Sequence, residues 1–350
     1  MRSEVSLRQL TPLDGDAYAS LMATSPDTGR IGVSQLFQID AYQALAAMHG
    51  DFIGVVAEHS QYQGFVGGGL IRFGECQFEG GLRRYALLNT LIVHPSFRRR
   101  GIASELAQWR FDCARKRVGL NGAIWAIIQR GNIGSELTAR KWRGQFLKDR
   151  LTLIPLKPRT SPPKLTRDYE VRRVPQDKFR LVSEQVNLFY QSYNMYTPRS
   201  EAELATWLSM TPFEKPFRHF LVVNDSRGET IAGLVVTEMY KLRTLKVVTS
   251  PLIARFANRL LHVVPTDYIM REVCLSHIWF APGLQKAAKF LLESVRWEWR
   301  DRASSLMVWV DSHSPHIDIL DLRPWTLRTA SSMVIQSDIA MSEISPVYYG

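Results

Sequence analysis

A chain of 350 residues has length for roughly two domains of about 150 residues each. Its 45% hydrophobic content excludes a disordered polymer, and three widely spaced cysteines (Cys76, Cys113, Cys274) supply neither a disulfide framework nor a zinc knuckle. The formal net charge of +11 suits acidic partners, whether nucleic acid, anionic lipid or a polyphosphate cofactor. The opening MRSEVSLRQLTPLDGD lacks the apolar run of a secretion signal, and no stretch is long enough to span a bilayer, so a soluble protein of the reducing cytoplasm is expected, with no membrane partner.

The first predicted elements are a strand over Val5–Leu10, a helix around Ala17–Ala23, and a loop, Ser25-Pro26-Asp27-Thr28-Gly29-Arg30, marked by its breakers. A second helical pattern runs from about Ile39 to Met48. Phe52–Glu58 and Gly64–Phe73 read as strands joined by a polar turn. No helix follows Gly67-Gly68-Gly69, so these glycines read as a bulge or a close strand contact rather than a phosphate cradle.

The stretch Tyr85–Lys116 carries the most information. Leu87–Val93 is an apolar, β-branched run suited to a buried strand, and Pro95 ends it by removing a ladder donor. Phe97-Arg98-Arg99-Arg100-Gly101-Ile102-Ala103 then leads into a helix with Ile102, Leu106, Trp109 and Cys113 on one face. Strand, basic turn with glycine and helix together make an anion site. The first N–H groups of a helix have no internal partner, the helix dipole is positive there, and glycine admits close approach of a phosphate. These residues resemble the acyl-CoA signature of the GNAT superfamily of N-acetyltransferases, Gln/Arg-x-x-Gly-x-Gly/Ala, with Arg98-Arg99-Arg100-Gly101-Ile102-Ala103 at its positions. Val93-His94-Pro95 stands where the family often has Val-x-Pro. The resemblance implies that Arg98, Arg99, Arg100, Gly101, Ile102, Ala103 and Ser104 anchor the cofactor diphosphate. It also implies that backbone groups of Leu91, Ile92 and Val93 pair with the pantetheine arm. The early loop and helices would border the acceptor, which makes Asp27 and Arg30 candidates to touch it, although turn chemistry also accounts for that loop.

Gly119-Leu120-Asn121-Gly122 turns the chain into Ala123–Ile128, an apolar run expected of a parallel strand, which closes a right-handed βαβ unit. Gly131-Asn132 and the following helix resemble the next family motif, in which an Asn faces pantetheine. Asn132 fits that role and that of a helix N-cap. The proline-rich, basic Lys157–Lys164 reads as a linker.

Beyond Tyr169 the plan repeats: helices over Leu181–Tyr190 and Glu201–Ser209, strands over Phe220–Asn224 and Ile231–Met239 around a hairpin turn, and a second βαβ from Val273–Phe280 to Leu306–Val310. Its turn, Gly283-Leu284-Gln285-Lys286-Ala287-Ala288, has no glycine at the place of Gly101 and no arginine cluster, so this half is expected not to bind CoA and to wall the acceptor cleft instead. The expected architecture is α/β (a mixed sheet of the α+β kind) in two GNAT-like domains, each a central mixed β-sheet flanked by helices. Residues 1–157 form the acyl-CoA-binding domain, 158–168 the linker and 169–350 a degenerate copy, a tandem arrangement similar in plan to the mycothiol synthases.

The resemblance implies an N-acetyltransferase that moves acetyl from acetyl-CoA, as donor substrate, to an amine by direct attack in a ternary complex. The proton carriers depart from the family. Where many members keep an acid on the strand, Leu87, Leu88 and Asn89 stand here, and Ala139, Arg140 and Lys141 replace a frequent tyrosine. His94, Asn89 and Glu79 are the remaining candidates, reached through water or helped by the second half. Tyr348-Tyr349-Gly350 is a further candidate to reach a cleft, although nothing in the sequence shows it. His313 and His316, with Asp311, Asp318 and Asp321, lack helical spacing across Pro315 and read as a hydrogen-bonded loop rather than a metal site. The rival readings are an acyl-CoA-binding protein without turnover and a basic nucleic-acid binder using Arg98–Arg100, Arg115-Lys116-Arg117 and the basic linker. A homodimer is compatible with any of them.

Overall fold

The computed structural model describes residues 4–27, 32–164, 167–249, 264–322 and 326–350; Arg30 lies outside them. The first half opens with β1 (Val5–Gln9), α1 (Gly15–Thr24), β2 (Gly32–Phe37) and α2 (Ala41–His49). Asp40 caps α2 by accepting the Gln43 N–H at 2.9 Å. β3 (Phe52–His59), β4 (Tyr62–Phe78) and β5 (Gly81–Val93) follow as an antiparallel meander, and α3 (Ile102–Val118) crosses over to β6 (Ala123–Gln129), parallel to β5. α4 (Ile133–Arg140) and β7 (Gln145–Leu156) complete this part.

The second half repeats the order with β8 (Tyr169–Arg173), α5 (Phe179–Phe189), α6 (Glu201–Ser209), β9 (Arg218–Asp225), β10 (Thr230–Thr237), β11 (Arg243–Thr249), β12 (Ile269–Met270), β13 (Glu272–Phe280), α7 (Gln285–Glu298) and β14 (Ser305–Asp311), again with the last two strands parallel. A short α8 (His316–Ile319) and β15 (Thr329–Gln336) end the regular structure. Most strand and helix expectations fall within a few residues of these bounds; β2, β7, β8, β11, β12 and β15 had no counterpart among them.

The expected α/β fold of two GNAT-like halves is present, and the halves share strands. One 12-stranded sheet runs β1-β3-β4-β5-β6-β15-β7-β14-β13-β10-β9-β8. β15, from the end of the chain, lies between β6 and β7, while the far end of β7 pairs with β14. The crossover is fixed by a buried ion pair, Arg150 Nε to Asp311 Oδ2 at 2.7 Å, and the same carboxylate accepts the Val347 N–H at 2.8 Å. β2 and β11 pair across the halves in a separate three-stranded sheet with β12. The segment after β7 is also tied down, since Arg296 Nε donates to the Lys157 carbonyl at 2.7 Å and the Arg159 N–H to the Arg296 carbonyl at 3.1 Å. Among the described residues no helix is long and apolar enough to cross a membrane.

Two layers cover the first half of the sheet. α3 packs on Ile71, Phe73, Ala86 and Leu88, and α1 packs on the other face against Leu70 and Ile92. The apolar face of α3 differs from the expected one: Ile102, Leu106, Arg110, Ala114 and Val118 are buried, whereas Trp109 and Cys113 lie at its margin. An arginine occupies the middle of that buried stripe because the sheet beneath it offers carbonyl groups.

Candidate active site

The site begins with a break in the ladder. Leu70 pairs with Asn89 and Gly69 with Leu91, so Thr90 is extra and bulges outward with φ of +44°. Asn89 holds the bulge through its Oδ1, which accepts the Thr90 N–H at 2.9 Å. Arg110 holds it from behind, since Nη1 donates to the carbonyls of Asn89 (2.8 Å) and Thr90 (3.0 Å). Burial draws this guanidinium down to about 10, and no carboxylate faces it among the described residues. The glycine run serves this packing. A Cβ on Gly69 would stand 2.8 Å from the Arg110 side chain and one on Gly67 2.9 Å from Leu106. A bulge or a close strand contact was the expected role of these glycines; the extra residue lies opposite them, at Thr90, and the close contacts are with α3 side chains.

Past the bulge the sheet opens. β5 and β6 are paired only over Tyr85–Leu87 and Ala123–Trp125, so the rest of β5, through Val93, faces a gap on its β6 side. No side chain bonds to the backbone of Leu91 or Ile92 among the described residues.

At the end of the gap stands the N-terminus of α3. Gly101 is its N-cap with φ of +86°, and Arg99 also has a positive φ of +65°. Alternating left-handed residues turn successive N–H groups to one side, a concavity that suits anions. Ser104 and Glu105 donate to the Gly101 carbonyl at 2.8 and 3.1 Å, whereas the N–H groups from Arg99 through Ala103 have no acceptor among the described residues. Nothing lies within 4 Å of a Cβ built on Gly101. The corner is therefore open, positive and lined by unpaired donors.

The arginines of this turn divide. Arg98 points inward, with Nε donating to the Val93 carbonyl at 3.1 Å and Nη2 to the Pro26 carbonyl at 2.8 Å, and so ties the strand end to the loop after α1. Arg100 lies over the Phe97 ring at 5.1 Å, and Arg99 is exposed. Of Arg98, Arg99 and Arg100, which form part of the supposed nucleic-acid patch, one is thus spent on the fold. Asn132 caps α4, accepting the Ser135 N–H at 3.1 Å, with its amide nitrogen left over.

The proton-carrier candidates do not meet. Asn89 alone is at the bulge. His94 lies five residues further, roughly 16 Å along the strand, packed between Tyr62 and Phe97. Glu79 is in the β4–β5 turn, on the order of 30 Å from Asn89 in the other direction, where it accepts from Asn194 Nδ2 at 2.6 Å and the Ser342 N–H at 2.9 Å.

The second half contains the same device, closed. β13 bulges at His277, φ +51°, three residues before the strand end, as Thr90 does in β5. Here the strand edge is plugged: Tyr190 Oη donates to the Ile278 carbonyl at 2.6 Å, and His316 Nε2 approaches it at 2.7 Å. At the turn before α7 the Leu284 N–H bonds to the Ala281 carbonyl at 2.9 Å, while the N–H groups of Gly283, Gln285 and Lys286 have no acceptor among the described residues, so it is the strand edge and not this turn that is closed. His316 thus belongs to a buried hydrogen-bonded loop with Ser314, while Asp311 serves Arg150.

Residues 22–144 match the model of the Acetyltransferase (GNAT) family. That stretch is similar to a GNAT domain. The whole chain is similar in fold to N-myristoyltransferase of Saccharomyces cerevisiae with bound myristoyl-CoA, at 10% identity and a TM-score of 0.64, covering 99% of this chain and 84% of that one. It is similar to a tandem GNAT protein from the clavulanic acid biosynthesis pathway (13% identity, TM-score 0.59, 95% of this chain and 100% of that one). A GCN5-related N-acetyltransferase from Sphaerobacter thermophilus is similar at 16% identity with a TM-score of 0.57, over 99% of this chain and 98% of that one. No curated protein sequence matches. At these identities the structural likeness is one of fold: the tandem GNAT arrangement, with the GNAT domain at its open end.

Residues that sequence reasoning missed are Arg110, on the back of the bulge, and a group on the opposite sheet face formed by Arg72, Arg199, Arg218 and His277. A basic residue inside an apolar helical stripe is a readable signal for the first. The second joins segments over a hundred residues apart and leaves no local trace.

Proposed function

We propose that the protein is an acyl-CoA-dependent N-acyltransferase that moves acetyl from acetyl-CoA to an amine. The observation that carries this is the open corner at Gly101, where the N–H groups of Arg99 through Ala103 lack acceptors and adjoin the gap beside β5. The diphosphate would lodge at the corner, with pantetheine along Leu91–Val93, Asn132 across the gap, and the thioester at the bulge. Arg98 would act by fixing the turn, and Arg99 and Arg100 by charge. The acetyl assignment is supported by the family model; the myristoyl-CoA bound to the yeast neighbour makes a longer acyl group the point to test.

In the reaction the amine nitrogen attacks the thioester carbon, an amide C–N bond forms, the C–S bond breaks, and the proton released from nitrogen ends on the thiol. A backbone amide just past the bulge would hold the carbonyl oxygen as charge grows on it, the Thr90 N–H being taken by Asn89 Oδ1. Asn89 cannot take a proton, so its part is to hold the bulge. The amine would enter unprotonated and lose its proton through water, and the rate should rise with pH toward the pKa of the acceptor. Three free cysteines suit a reducing compartment such as the cytoplasm.

The test is release of free thiol from acetyl- and myristoyl-CoA with an amine panel. Acceptor-dependent release with acetyl-CoA supports the reading. Tight binding with no release from either donor favours the non-catalytic reading, which the absence of a carboxylate at Asn89 motivates; failure to bind either donor refutes both.

A further inference from the structure

Opposite α3, the sheet carries a cluster of cations for which the fold supplies no anion. Arg72 on β4 pairs with Leu87 and shares a face with Leu70 and Asn89, one cross-strand pair, or about 7 Å, from the bulge. Arg199, from the loop before α6, presents Nη1 to His277 Nε2 at 2.8 Å and lies over the Trp207 ring at 4.4 Å. Its backbone is held in place: Asn187 and Ser183 both donate to its carbonyl, and its N–H bonds to Asn187 Oδ1 at 3.2 Å. Behind it, the buried Arg218 donates to the carbonyls of Trp207 (3.1 Å), Met210 (3.0 Å) and Ala47. His277 is itself buried, and Tyr348 Oη stands 3.0 Å from its Nδ1.

These groups repel one another. Burial first, and then the charges of Arg199, Arg72 and Arg218, hold His277 well below its ordinary value, so it stays neutral and receives the Arg199 N–H. Burial lowers Arg199, which also feels Arg72. No carboxylate pairs with Arg72, Arg199 or Arg218 among the described residues, and the remaining segments contain no Asp or Glu. Glu203, the acidic side chain that Arg199 influences, is engaged in a capping box with Ser200 at 2.7 and 2.8 Å. The exposed Gly350 lies against Tyr348 and Ser276 and makes no ion pair with these arginines. Bringing unpaired guanidinium groups together in partial burial is costly unless a ligand completes them. Arg72 and Arg199 remain half-buried, with no carboxylate or carbonyl acceptor for their terminal nitrogens among the described residues, and are open to take one.

We propose that Arg72 and Arg199 form a carboxylate-binding subsite for the acceptor, which is thereby an amine that also bears an anionic carboxylate. The inference rests on the acyl-transfer reading for its role, since a carboxylate held there sets an amine at the neighbouring bulge. The subsite itself exists or fails independently of CoA. Guanidinium recognises carboxylate by paired N–H donors in one plane, and Arg199 comes preoriented by Trp207 and His277. Arg218 contributes charge without contact.

The experiment uses the full chain with succinate as the anion probe, followed by calorimetry and thermal denaturation, with and without acetyl-CoA. The wild type should bind succinate. Arg72→Met and Arg199→Met should each weaken it at least tenfold, and Arg72→Lys should retain part of it. Acetyl-CoA affinity should stay unchanged in all three, which separates failure of this subsite from failure of the donor site. Turnover then compares matched acceptors. Amino acids should be preferred over their amides, or peptides with a free carboxylate over amidated ones, and these two arms identify the source of the carboxylate. The preference should vanish in Arg72→Met through KM. Succinate binding that survives both Met variants, no succinate binding in the wild type, or equal turnover of acids and amides would overturn the proposal.

Discussion

Replacing Gly101 by alanine separates the cost of the backbone from the loss of the ligand. At φ of +86° an L-residue is strained by about 1 kcal/mol, and nothing else resists the change, because no atom lies within 4 Å of the new Cβ. In a chain of this length that shifts the unfolding midpoint by about 2 °C. The methyl group projects into the space over the α3 N-terminus. If it denies the diphosphate two charge-assisted amide bonds, the loss is about 3 kcal/mol or more, which is on the order of a hundredfold in Kd. Gly119 provides the control. It caps the other end of the same helix with φ of +77° and equally open space, so Gly119→Ala should cost similar stability and leave the ligand alone. Calorimetry with acetyl-CoA on both variants decides the matter. Equal affinity in the two, or a Gly101→Ala loss no larger than the shared strain, would refute the reasoning.

Arg110→Met removes a buried charge but leaves the Asn89 and Thr90 carbonyls unpaired, so stability should fall by about 2 kcal/mol and amide exchange at Thr90 and Leu91 should accelerate while the far end of β5 stays protected. Burial pulls His316 down to about 4 and, with three arginines, holds His277 well below its ordinary value. The folded state then binds these protons more weakly than the unfolded chain. Stability should be complete above about pH 6.5 and decline as pH falls toward 4, by up to about 1.4 kcal/mol per pH unit for each histidine, as urea unfolding across that range would record. A flat profile would contradict it. Because β15 fills the place between β6 and β7, residues 1–157 alone should not fold stably, and the full chain should unfold in one transition by calorimetry; a folded 1–157 fragment would show that the strand exchange is dispensable.

Much of the candidate site was legible because it is local. Arg98–Ala103 follow a buried strand and open a helix within a few residues, and glycine at that point has a backbone meaning that the positive φ of Gly101 expresses. The plug of the second half was foreseen only as a missing glycine; the structure closes it instead with Tyr190 and His316, from segments far from the turn. The exchange of β15 and β7 was not legible, since two strands with the same alternation give no hint which sheet they join. The group of Arg72 and Arg199 was hidden for the same reason: each arginine reads alone as a solvated charge, and only the packing of loop 194–199 against β4 brings them together. The misjudged face of α3 had a local cause, since Trp109 outweighed Arg110 as an apolar position although the arginine is the more deeply buried.

The proposed chemistry depends most on where the donor diphosphate lies. A crystal structure with acetyl-CoA answers this directly. Phosphate oxygens should lie within hydrogen-bond distance of the amides from Arg99 to Ala103, with pantetheine beside Leu91–Val93. A diphosphate bound at the Gly283 turn of the second half, or anywhere that leaves the Gly101 corner vacant, would contradict it.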